Sequence, residues 1–115
     1  MRFVVRVTRR AASNLREIAE WLDADGGPKV AERWLDSIGR ELSGLSEYPA
    51  RQPLAPEDEE VRGPEIRQLV LGNYRVLFII QQTAVFVIHV RHASRRPALP
   101  GEIRDALREA QDPAL

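Results

Sequence analysis

The chain of 115 residues contains no cysteine, which excludes disulfide bonds, thiolate catalysis and cysteine-bound zinc. Long apolar runs are missing too, since a stretch such as Val76–Ile80 is far too short to cross a bilayer. The first residues alternate between arginine and apolar side chains instead of forming an apolar signal region. We therefore expect a cytoplasmic protein with no membrane partner, and the sequence indicates no metal site and no other cofactor.

Lysine is almost absent. The chain contains one lysine, Lys29, and sixteen arginines. The net charge is zero, but the charges are unevenly placed. Residues 57–60 read Glu-Asp-Glu-Glu, whereas residues 61–97 carry six arginines and a single acid, Glu65. Local field matters more than total charge for an anionic partner. The second half is therefore a candidate binding surface, although a solvated position is the commoner explanation for any one arginine.

Periodicity predicts a strand followed by two helices. Residues 2–8 alternate as in a strand with one face better buried, and Thr8 can cap the helix that follows. Gly26-Gly27 should end this first helix, and Pro28 suits the start of the next, which ends before Pro49. The short connection predicts an αα-hairpin.

The rest of the chain predicts a loop, two β-hairpins and a short helix. Residues 49–64 are rich in proline and acids and are expected to form a loop. Tight turns are expected at 71–74 and 81–84, with the strands 74–80 and 85–90 apolar on both faces. A short amphipathic helix should follow Pro97.

The predicted order is β-α-α-β-β-β-α, an α+β fold with a helical hairpin packed on a small, mainly antiparallel sheet. We expect one domain over residues 1–115, of which 98–115 are a C-terminal tail with the short helix. One sheet face is covered by the hairpin. The other must be covered by the C-terminal helix or by a separate protein.

In this order of elements the sequence resembles the RelE/ParE toxin superfamily, also called the plasmid stabilisation family, and most of all its ParE-like members. The resemblance extends to about Pro97. It is carried by the opening strand and by the start of the second helix from Pro28 to Trp34. The more specific stretches are Asn73-Tyr74-Arg75-Val76-Leu77-Phe78 and the segment from Val87 to Arg96 that contains His-x-x-Arg.

The resemblance implies a type II toxin that inhibits bacterial growth and is held inactive by a cognate antitoxin in a hetero-oligomer. It leaves the target open. ParE-like members poison DNA gyrase, whereas RelE-like members cut messenger RNA on the ribosome. A third possibility is an interaction module without toxicity.

A metal-free ribonuclease needs a base, a cation for the phosphorane and an acid for the leaving oxygen. Should the chain be a ribonuclease, the candidates are Arg75, His92 and Arg95. With two-residue turns at 72–73 and 82–83, Arg75 should lie opposite Val90 and share a face with His92. His89 should point to the opposite face, where Arg67 also falls.

RelE-like nucleases resemble one another in lysines on the strand before the central one and in a tyrosine in the tail. Here that strand has Arg67, which stays protonated and cannot shuttle a proton, and no tyrosine follows Tyr74. The ParE-like function, inhibition by binding, is therefore preferred. The residues expected to bind antitoxin or target are Arg67, Arg75, Arg91, Arg95 and Arg96.

Overall fold

The computed structural model describes residues 2–111; Met1 and the last four residues of the predicted tail lie outside this range. The elements are β1 Val4–Val7, α1 Arg9–Gly26, α2 Pro28–Gly44, β2 Arg67–Leu71, β3 Tyr74–Gln81, β4 Ala84–His92 and α3 Pro100–Ala110. The predicted element order is thus confirmed. No helix in residues 2–111 is long and apolar enough to cross a membrane.

The helical hairpin has the caps that the sequence predicts. The Thr8 side chain accepts a hydrogen bond from the Ala11 amide, which satisfies one of the unpaired donors at the start of α1. Gly27 separates the two helices at φ 92° and ψ 170°, a conformation that is essentially restricted to glycine. Pro28 then begins α2 at a position where its missing N–H costs nothing.

The four strands form one mixed sheet in the order β1-β4-β3-β2. β1 runs parallel to β4, and the two hairpins β2–β3 and β3–β4 are antiparallel. Both predicted tight turns are present, because Leu71 pairs with Tyr74 and Gln81 pairs with Ala84.

Two apolar layers enclose this sheet. α1 and α2 cover one face, where Val76, Phe78, Val85 and Val87 are fully buried. α3 and the segment 55–61 cover the other face, where Ile66, Leu77 and Ile79 are buried together with Ile103 of α3. The second face, which the sequence left to either the C-terminal helix or a partner, is therefore covered by the chain itself.

The proline-rich segment 49–64 is more structured than the expected loop. It forms two 3-10 helices, Pro49–Arg51 and Pro56–Glu60. Leu54 bridges to Arg67 beside β2, and the Ala55 amide donates to the Ile66 carbonyl. This segment therefore shields part of the β2 edge and forms part of the core.

One register prediction is wrong. The pairing of β3 with β4 shifts by one residue at a β-bulge, between Leu77 and Phe78 of β3. Arg75 therefore lies opposite Arg91 and not opposite Val90. Two residues of β4, Ile88 and His89, lie opposite this step, and a bulge of this kind places both on one face. Arg75 therefore shares a face with His89 and Arg91, whereas His92 pairs with Tyr74 and lies on the hairpin face.

Candidate functional site: a groove at the open end of the sheet

The face beneath α3 contains an internal ion-pair cluster. Arg75 donates two hydrogen bonds to Glu57, at 3.1 and 2.8 Å, and a third of 2.9 Å to Gln68. The Glu57 carboxylate, which is fully enclosed, also accepts the Ala98 amide at 2.8 Å. Burial raises the pKa of Glu57, but the hydrogen bonds from Arg75 and Ala98 outweigh it and lower the pKa overall. Arg75, which the sequence suggested as a cation of a ribonuclease site, is thus already neutralised by Glu57.

Arg91 is the second buried cation of this face. Its guanidinium donates to the Arg96 carbonyl at 2.8 Å and lies 3.3 Å from Nε2 of His89 and 3.7 Å from Glu102. Among the described residues, its Nε is the one buried side-chain nitrogen or oxygen without a hydrogen-bond partner. Burial, followed by repulsion from Arg95, lowers the pKa of Arg91.

His89 lies beside this guanidinium and is almost completely buried. Burial, together with the nearby positive charge of Arg91, lowers the pKa of His89 to about 4. The ring is therefore neutral near pH 7, and its Nε2 accepts the Arg91 hydrogen bond. A neutral, buried histidine of this kind is a packing residue.

The accessible site lies at the open end of the sheet, between α1 and the ends of β3 and β4. Two adjoining cavities of about 470 and 530 Å³ meet there. Both are lined by Trp21, Tyr74 and His92. We call this space the end groove. Its first part is also lined by Asn14, Glu17, Ile18, His89, Val90, Arg91 and Arg95, and its second part by Trp34, Ile38, Glu41 and Leu71 among others.

Stacked rings form the middle of the end groove. Tyr74 contacts Trp34 on one side and His92 on the other, each edge-to-face with ring centroids 5.3 Å apart. Nδ1 of His92 accepts the Ser94 amide at 3.1 Å and lies 2.6 Å from the Ser94 hydroxyl. Trp21 is 61% exposed, an unusual position for a large aromatic ring and one that is common in recognition surfaces.

The structure separates the predicted site residues. His92, Arg91 and Arg95 meet at the end groove, but Arg75 does not reach it. Arg67 is held elsewhere by the carbonyls of Gln52 and Ala50 and by Glu65, and Arg96 is exposed beyond the end of β4. Arg95 is exposed, and its guanidinium has no hydrogen bond or ion pair with residues 2–111.

Sequence reasoning missed Glu57 and Asn14. Glu57 belongs to a run of four acids that is typical of a solvated surface, and nothing in its spacing marks it as the buried member. Asn14 is a polar residue on α1 whose Oδ1 accepts the Val90 amide at 3.0 Å. Only the fold reveals that α1 passes the end of β4 at this point.

Residues 5–97 match the family model described as the ParE toxin of the type II toxin–antitoxin system parDE. This match spans most of the chain, and the protein therefore belongs to the ParE toxin family. No curated protein matches the chain.

The fold is also similar to solved toxin structures. One is the chromosomal ParDE system of P. aeruginosa, with a TM-score of 0.68 and 18% identity over 80% of this chain and 97% of that one. Another is the RelBE2 toxin–antitoxin complex of Mycobacterium tuberculosis, with a TM-score of 0.56 and 25% identity over 82% and 95%. A third is a free-state variant of the E. coli toxin RelE, with a TM-score of 0.50 and 19% identity over the whole of both chains. The predicted superfamily and α+β fold are confirmed.

Proposed function

We propose that this protein is a cytoplasmic toxin that a cognate antitoxin neutralises, and that it inhibits growth by binding DNA gyrase. Membership of the ParE family supports the toxin role. The similar ParDE and RelBE2 structures are both toxin–antitoxin systems, which supports an antitoxin as the partner.

The burial of Arg75 is the observation that carries the choice of target. A ribonuclease must present a cation to the phosphorane oxygens. The Arg75 guanidinium instead has three hydrogen bonds to Glu57 and Gln68 beneath α3. What remains exposed at the end groove, rings around Tyr74 and the cation Arg95, is suited to binding.

The alternative function is ribosome-dependent cleavage of messenger RNA. Its specific support is the 25% identity to the RelBE2 complex, together with His92 and Arg95, which both line the end groove. In that case His92 would act as the base and Arg95 as the cation, without Arg75.

Toxicity is tested by inducing the protein alone in a bacterium, and then together with the product of the adjacent gene. Induction alone should slow growth, and co-expression should restore it. The control is the same gene with an early stop codon. Normal growth at verified soluble expression would contradict the toxin role and favour a non-toxic interaction module.

The target is tested with purified protein in two parallel assays. Inhibition of gyrase supercoiling is expected, reversed by the adjacent gene product, while ribosome-bound messenger stays intact. In cells the same function predicts filamentation and a DNA-damage response. Codon-positioned cuts in messenger, with gyrase unaffected, would reverse the choice.

A further inference from the structure

The first residues of the chain form a second basic region, separate from the basic second half. Residues 1–16 contain five arginines and no acidic residue, and the first carboxylate of the chain is Glu17. Three of these arginines, Arg9, Arg10 and Arg16, lie in the first half of α1. The positive charge is therefore concentrated on one end of a single helix.

One row of side chains on α1 holds the helix in place. Arg10 donates two hydrogen bonds of 2.9 Å to Glu109 of α3. One turn further on, Asn14 accepts the Val90 amide of β4 at 3.0 Å. These polar groups are used inside the protein, so this inner row has a structural role.

A second row on α1 faces outward. Arg9, Ser13 and Arg16 are spaced by four and then three residues, which places them on one side of a helix. The first and last are about 10 Å apart along the axis. Both arginines are exposed, and Arg16 has no hydrogen bond or ion pair with residues 2–111. The fold therefore leaves this outer row available to an external partner.

A cavity of about 600 Å³ lies along the two rows, and we call it the arginine cleft. It is lined by the outer row and Arg10, and its acidic lining residues are Glu17 and Glu109. Glu109 is already bonded to Arg10, which leaves Arg9 and Arg16 against the single carboxylate of Glu17. The cleft therefore favours an anionic ligand.

The residue types of the cleft match a phosphate backbone. Arginine and serine side chains are usual donors to the phosphates of DNA, and a duplex carries one negative charge for about every 1.7 Å of its axis. Arg9 and Arg16 are far enough apart to contact different phosphates. No aromatic ring lines the cleft, so the bases of a single strand would find no stacking platform there.

We propose that the arginine cleft binds the sugar-phosphate backbone of duplex DNA without selecting its sequence, with Arg9 and Arg16 on different phosphates and Ser13 between them. The inference rests on the proposed function for the source of the duplex. Gyrase acts on duplex DNA, so a toxin with this cleft contacts the enzyme and its substrate together.

The test is fluorescence anisotropy of a short labelled DNA duplex, titrated with the purified chain at several salt concentrations. The test variant carries Arg9→Gln together with Arg16→Gln. The matched control carries Arg33→Gln together with Arg40→Gln, two exposed arginines of α2 with the same spacing along the chain. Both variants lose the same charge from a helix surface, so a difference between them reports position. Thermal unfolding verifies that both are folded.

The unmodified chain should bind the duplex at low salt, with log Kd rising linearly with the logarithm of the salt concentration. The test variant should bind about tenfold more weakly or worse, and its salt slope should fall by about two, because two phosphate contacts are lost. The control variant should change the affinity by less than about twofold. Duplexes of unrelated sequence should bind alike, because phosphates carry no sequence information.

Unchanged affinity and salt slope of the test variant would overturn the proposal. Equal losses in the test and control variants would also overturn it, since the attraction would then be diffuse. Tighter binding of a single-stranded RNA of the same length would replace duplex DNA by RNA as the ligand. Equally effective displacement of the duplex by polyglutamate would replace it by an acidic protein.

Gyrase supercoiling assays separate this inference from the proposed function. Weaker inhibition by the test variant, in step with its loss of DNA affinity, would support both. Binding of the duplex in the cleft by a chain that does not inhibit gyrase would contradict the proposed function only. Full inhibition of gyrase by a chain that does not bind the duplex would contradict the cleft only.

Discussion

Glu57 shows how strongly one side chain can connect distant parts of this chain. Its carboxylate joins β3 through Arg75 and the start of the tail through the Ala98 amide. Removing one partner of a buried ion pair leaves the other charge without compensation in a low-dielectric surrounding.

Glu57→Ala should therefore lower the free energy of unfolding by about 3–5 kcal/mol. Glu59→Ala is the matched control, because Glu59 belongs to the same acidic run but is exposed, and its effect should stay within about 0.5 kcal/mol. Urea unfolding of both proteins measures the difference. Equal stability of the two variants would show that the cluster contributes nothing net.

His89 gives the fold a predictable dependence on pH. Its pKa falls from the ordinary value of 6.5 to about 4 on folding because the ring is buried beside Arg91. Between these two values the unfolded chain binds more protons than the folded one, so stability decreases as the pH falls through this window.

From pH 7 to pH 5 the contribution of His89 should decline by about 2 kcal/mol. His89→Gln, which keeps an acceptor for Arg91, should remove this decline, whereas His92→Gln should retain it. Urea titrations of the three proteins at both pH values measure this change in the free energy of unfolding. An unchanged pH response of the His89→Gln protein would assign the effect to other groups.

At the level of elements, the sequence predicts the helices, strands and turns that glycine, proline and hydrophobic periodicity mark. Gly27 and Pro28 mark the helix junction, and Gly72 marks a turn, at φ 56°. The bulge could not be predicted. Val87, Ile88 and Val90 make β4 apolar on both faces, so a slip by one residue leaves the pattern of apolar positions unchanged.

The burial of Arg75 was missed for the same reason as that of Glu57. A charged residue is a surface residue by default, and only the register together with the path of segment 55–61 brings the two together. The end groove was equally hidden, because it depends on α1 passing the end of β4. The resemblance predicts the family, but no local sequence pattern predicts these contacts.

The helix junction offers a test with an internal control. Gly27 has a backbone conformation that a side chain strains, although no atom within 4 Å would obstruct a Cβ. Gly27→Ala should therefore cost about 1–3 kcal/mol. Gly39 lies inside α2 with equally open space, and Gly39→Ala should stabilise the protein by about 0.4–1 kcal/mol. Thermal unfolding should give opposite signs, and equal signs would refute this account of the junction.

At the scale of the whole molecule, α3 covers the sheet face that lies opposite the helical hairpin. It packs Ile103 against the sheet, and Glu109 joins it to α1 through a double hydrogen bond of 2.9 Å to Arg10. This contact lowers the pKa of Glu109 and raises that of Arg10. Within residues 2–111 the chain therefore covers both faces of its sheet by itself.

A neutralising partner should then stabilise the protein by mass action alone. At a concentration one hundred times its Kd, the adjacent gene product should add about 2.7 kcal/mol to the free energy of unfolding. The stabilisation should increase with partner concentration, as measured by thermal unfolding at several ratios. A stability independent of partner concentration would show that the folded chain has no preferential affinity for that partner.

The parallel pairing of β1 with β4 has a consequence for synthesis. β1 can pair with its neighbour only when Ala84–Val87 have also left the ribosome. Until then the sheet beneath the helical hairpin lacks β1 and β4. Non-local pairing of this kind slows folding, because closing a long loop costs chain entropy before any stabilising contact forms. The order of the strands thus delays the native state until β4 has been translated.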